Sequence, residues 1–105
     1  MKKTFPLHLP GKTDARVTEA IQITVNKYVK RERRKALPTG AAGWNFQCRV
    51  GADAETARPC QLPEISASIE AAALTEQPGV YVEILAEPRP GRGITVTEEV
   101  EEGGV

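Results

Sequence analysis

Trp44-Asn45-Phe46-Gln47-Cys48-Arg49-Val50, followed by Gly51-Ala52-Asp53-Ala54-Glu55 and Ala57-Arg58-Pro59-Cys60-Gln61-Leu62, decides how this chain folds. The first seven residues alternate, with Trp44, Phe46, Cys48 and Val50 on one side and Asn45, Gln47 and Arg49 on the other, which is the pattern of a half-buried strand. Trp44 and Phe46 are expected in the core. Gly51 to Glu55 has the composition of a turn, so residues 57–62 are expected to return beside the first arm as a strand weakened by Pro59. If that second arm forms, the chain has four strands; if it does not, a three-stranded α/β layer remains.

A helix is expected on either side of this hairpin. Residues 14–35 contain no Gly or Pro and place Val17, Ala20, Ile21, Thr24, Val25 and Tyr28 on one face at helical spacing. Thr13 or Asp14 suits the cap, and Pro38 and Gly40 end the element, leaving Thr39 to Gly43 as a loop. Such a helix is about 33 Å long against about 17–20 Å for an ordinary strand, so its last two turns are expected to overhang the sheet. On the far side, Pro63 opens a helix over 63–76 with Ile65, Ile69, Ala72 and Ala73 facing inward. Strands are expected at 3–9 and 80–86, the latter rich in β-branched residues. Pro6 cannot donate to a ladder, so the first strand is irregular or has a partner on one side only at that point. The order β, α, β, β, α, β is that of an α+β, two-layer βαββαβ sandwich of the ferredoxin-like kind, with both helices on one face of an antiparallel sheet. Residues 1–87 are expected to form this single domain. From Pro88 the sequence turns to Pro, Gly and Glu without an aromatic residue, so 88–105 reads as an acidic disordered tail, to which Ile94-Thr95-Val96-Thr97 can add a fragment of strand.

Charge along the chain is sorted. Residues 1–35 carry ten basic side chains against three acidic, and residues 36–105 carry four against eleven, so a formally neutral protein is about +7 at one end and −7 at the other. The basic end culminates in Lys27-Tyr28-Val29-Lys30-Arg31-Glu32-Arg33-Arg34-Lys35. At 100° per residue, Arg16, Lys27, Lys30 and Arg34 gather opposite Ile21 and Val25, with Arg31 at the margin, and Arg33 and Lys35 complete the cationic set. Cations along a rigid rod can each neutralise a phosphate and release its counterion, which points to RNA or another polyanion. A solvated helix face and a contact for an acidic protein are the alternatives. Ile23 lies amid the stripe and is expected to be exposed.

Other signals carry less. No apolar run approaches the length of a bilayer span and the start lacks the apolar segment of a secretory signal, so a cytoplasmic protein with two reduced thiols is expected. Gly11-Lys12-Thr13 imitates the end of a phosphate-binding loop, but Pro6 stands where the earlier glycine is required. His8, Cys48 and Cys60 lack the spacing of a metal site, and a single histidine offers no acid–base pair or triad, so neither a metal, a cofactor nor a catalytic residue is assigned.

The segments Lys2-Lys3-Thr4-Phe5-Pro6-Leu7, Asn26 to Lys35, Trp44 to Gly51 and Tyr81-Val82-Glu83-Ile84-Leu85-Ala86 resemble a family of small bacterial proteins of unknown function. The resemblance spans roughly residues 2–87 and is most specific over Lys27–Lys35. It implies a bacterial cytoplasmic domain and brings no activity or ligand with it. The combined expectation is a non-enzymatic module that binds nucleic acid, RNA above all, through Arg16, Lys27, Lys30, Arg31, Arg33, Arg34 and Lys35, with an acidic protein as the alternative partner.

Overall fold

Cys48 and Cys60 stand opposite one another in an antiparallel pair, with Arg49 opposite Pro59 and Val50 opposite Arg58. Both arms of the hairpin therefore form. The computed structural model describes residues 1–91, in the order β1 (Lys2–Pro6), α1 (Asp14–Arg33), β2 (Ala41–Gly51), β3 (Arg58–Cys60), a 3-10 turn (Leu62–Glu64), α2 (Ile65–Ala73) and β4 (Gly79–Pro90). The expectations for residues 92–105, including the strand fragment at Ile94 to Thr97, lie outside the described residues.

The four strands form one antiparallel sheet in the order β1-β4-β2-β3. This α+β arrangement is not the ferredoxin-like one, in which the first strand lies inside the sheet; here β1 is an edge. Pro6 suits that place, because a residue without an N–H loses nothing on a side where no strand follows. β4, apolar and β-branched at Val80, Val82 and Ile84, takes the interior position instead.

Both helices cover the same sheet face. Val17, Ile21, Val25 and Val29 descend α1 in steps of four, and with Ile65 and Ile69 of α2 they pack on Phe5, Cys48, Val80, Val82 and Ile84 in one core cluster. The buried stripe is shifted from the one expected, since Ala20 and Thr24 are exposed while Thr18, Val29 and Glu32 are buried. Ile23 is exposed, as its position in the cationic stripe requires.

The ends of the elements correct several expectations. α1 stops at Arg33, where the N–H groups of Arg34 and Lys35 reach back three residues to the carbonyls of Arg31 and Glu32, so Lys35 lies beyond the helix. α2 is shorter than 63–76: Glu64 accepts from the Gln61 N–H in a 3-10 turn before it, and the Thr75 hydroxyl caps the Ala72 carbonyl after it. Leu9 falls outside β1, although Leu7 stays fully buried and its N–H continues the pairing to the Pro78 carbonyl. β2 begins at Ala41, inside the expected loop, because it pairs with β4 as far as Pro90. At 11 and 12 residues these two strands run about 36–40 Å. They outlast α1, so its last turns rest on the sheet and do not overhang it.

The sheet is thus uneven in width. It is four strands across where β1 pairs with Gly79 to Glu83 and β3 with Cys48 to Val50, and only two strands, β2 and β4, from Ala41–Gln47 to Leu85–Pro90.

Candidate nucleic-acid interface

Thr13 Oγ1 accepts the Arg16 N–H at 3.2 Å and starts α1 cleanly, and Asp14 in the first turn complements the helix dipole. The opposite end carries Lys30, Arg31 and Arg33 in its last turn, where cations are favoured. Over residues 27–35 six basic side chains surround one carboxylate, Glu32.

Six of the seven expected contact residues are brought together at this end of α1, and Arg16 is not. It stands on the same helical face but at the first turn, about 17 Å along the axis from Lys27. The six then divide by what they touch. Lys35 Nζ lies 2.9 Å from Glu32 Oε2 and Arg31 Nε 3.8 Å from it, with Arg31 also 5.4 Å from the Tyr28 ring centre. Arg33 stacks 5.4 Å over the ring of Phe46 in β2. Lys27, Lys30 and Arg34 are exposed, and their side chains make no ion pair, hydrogen bond or ring contact among the described residues.

Beside Lys30 and Arg34 lies a groove of about 640 Å³ between α1 and the start of α2. Val25, Val29, Leu62 and Ile65 give it an apolar floor, Lys30, Arg33 and Arg34 a cationic rim, and Gln22, Asn26 and Ser66 its remaining polar atoms. No acidic side chain lines it among the described residues. The groove has no signature in the sequence, because it arises where Pro63 and the 3-10 turn hold the α2 entry away from α1. Trp44 is not core: it is half-buried and donates its indole N–H to the Lys35 carbonyl at 3.3 Å, tying β2 to the end of α1. Phe46 is likewise half-buried, between the core and Arg33.

Elsewhere, Arg49 on the outer sheet face reaches Glu83 at 3.2 Å and the carbonyls of Ala54 and Ala57 at 3.0 Å, while the Tyr81 hydroxyl donates to Glu83 at 2.8 Å. The Tyr81 hydroxyl and then Arg49 hold the Glu83 carboxyl below its usual range. Burial raises both thiols, Cys48 to about 11. Among the described residues there is no group of three or more His, Cys, Asp or Glu side chains placed to hold a metal, and no helix long and apolar enough to cross a membrane.

A family model described as "Family of unknown function (DUF6172)" matches residues 1–94. The chain belongs to this family. The match includes α1 with its whole basic run and reaches Ile94, past the end of the resemblance noted in the sequence. No curated protein and no solved structure matches the chain.

Proposed function

We propose that this chain is a non-enzymatic cytoplasmic module that binds RNA or another nucleic acid through the C-terminal half of α1. The observation that carries this reading is the trio Lys27, Lys30 and Arg34, whose side chains are exposed and unpartnered among the described residues, with Lys30 and Arg34 at the rim of a groove that no acidic side chain lines among those residues. Cations already paired with carboxylates would have to break those pairs to bind phosphate; these three would not. The trio supplies the charge, and Arg33, held over the ring of Phe46, offers its planar guanidinium to a base next to it.

Three neutralised phosphates correspond to a log–log salt slope of about −2.1 on single strands. Replacing Lys27, Lys30 and Arg34 together with Gln should flatten that slope and leave the helix intact, since Gln is a good helix former on an exposed face. A wild-type protein without salt-sensitive RNA or DNA binding near 50 mM salt, or a substituted one that binds as well, removes the reading. The apolar floor of the groove favours a second reading, an acidic protein whose apolar side chains enter it. Heparin should displace RNA from the trio and leave such a protein bound.

A further inference from the structure

The two edges of the sheet are finished differently. β1 carries Lys2, Lys3 and Pro6, which discourage any further strand from pairing there. At the other edge β3 covers β2 only from Cys48 to Val50, and the chain then leaves at Gln61 for the 3-10 turn. From Ala41 to Gln47, β2 pairs with β4 on one side and, among the described residues, with no strand on the other. That stretch contains neither a charge nor a proline. Next to it lies an open gap of about 610 Å³, where Trp44, Phe46, Cys60 and Leu62 supply apolar surface between the polar side chains of Asn45, Gln47 and Gln61. An unprotected edge beside an open gap is the geometry by which a sheet accepts an extended peptide.

We propose that the Trp44–Gln47 edge of β2 takes an extended segment of a partner protein, continuing the line of β3, with apolar side chains at alternate positions and carboxylates at the end beside α1. The ladder supplies affinity, and every second side chain of the segment points into the gap. Charge selects the occupant. Arg33 lies over Phe46 and the Lys35 carbonyl holds Trp44, so the basic end of α1 borders this edge. Glu64 also lines the gap, but its carboxylate is engaged by the Gln61 N–H at 2.7 Å. A second copy pairing through the same edge would bring two basic α1 ends together across the two-fold axis, which opposes a homodimer here.

The test uses the full chain and a seven-residue synthetic peptide alternating valine and threonine, with two glutamates at one end. Peptide binding should slow hydrogen exchange at the alternate amides of Trp44 to Gln47 that face away from β4. The same peptide N-methylated at every second residue should not bind, and one with lysines in place of the glutamates should bind about tenfold more weakly. Three results overturn the proposal: no binding at millimolar peptide, binding without protection of those amides, or equal binding of all three peptides. Amides already protected in the peptide-free protein also overturn it. A dimer by sedimentation would then assign the edge to a second copy, and a monomer to the chain's own residues 92–105.

Discussion

Glu32 is the one carboxylate among six cations, and at 8% exposure it is nearly buried where they are not. It occupies the inner side of the last turn and draws Lys35 and Arg31 toward itself, which leaves the outer cations without competition. Glu32→Gln should release both, steepen the salt dependence of RNA binding and tighten it at low salt. The lost ion pairs should cost about 1 kcal/mol or less, because Lys35 and Arg31 are largely exposed, as urea melts would measure. At the other end of α1, His8 donates to Asp14 at 3.0 Å, and this hydrogen bond raises the imidazole pKa above its ordinary 6.5. A raised folded-state value means the contact stabilises fully below pH 6.5 and is lost as the pH climbs through the folded-state value. An NMR titration of His8 should give a midpoint above 6.5 that falls back in Asp14→Asn. Helical spacing alone placed Lys27, Lys30 and Arg34 on the outside correctly. It could not place Arg33 on Phe46, since that contact depends on where a distant strand begins.

The β2–β3 hairpin was legible as an element because turn-forming residues separate an alternating run at 44–50 from a second, proline-interrupted run at 57–62. Its register puts Cys48 against Cys60, and cross-strand Cα separations of about 4.5–5.5 Å fall within the range a disulfide spans. Both thiols are free and held protonated by burial, so they should react slowly. Oxidised glutathione in excess should nonetheless convert the pair to an internal disulfide, two thiols losing two protons and two electrons as glutathione is reduced. The bridge should raise stability by about 2–3 kcal/mol. Mass spectrometry finding only mixed disulfides or dimers would contradict the register. The early start of β2 was not legible, because Ala41-Ala42-Gly43 are poor strand formers and become one only by pairing with Arg89 and Pro90. The prolines of β4 concealed its length in the same way. Pro88 and Pro90 are tolerated there because β1 reaches only Glu83, so beyond it β4 has a neighbour on one side alone.

Over the whole molecule, the α+β class and the one-sided helix layer followed from periodicity, while the strand order did not. Local patterns say which residues form strands, and only the competition for interior positions decides their neighbours; Pro6 hinted at an edge without saying which edge. Ile69 ties the layers together, fully buried where α2 meets the sheet. Ile69→Ala should cost about 2–5 kcal/mol in chemical denaturation, with one cooperative transition if helices and sheet share a single core. The uneven width of the sheet adds a mechanical consequence. The ribbon of β2 and β4 projects from the four-stranded end like a cantilever from its clamp, and two-stranded ribbons twist more readily than broad sheets. Arg33 and Trp44 fasten the cationic end of α1 to that beam at Phe46 and Trp44, between its clamp and its free end at Ala41. Whatever grips the helix there loads the beam part-way along its length, so the stiffness of the β2–β4 ribbon sets how closely the cations can follow the contour of what they hold.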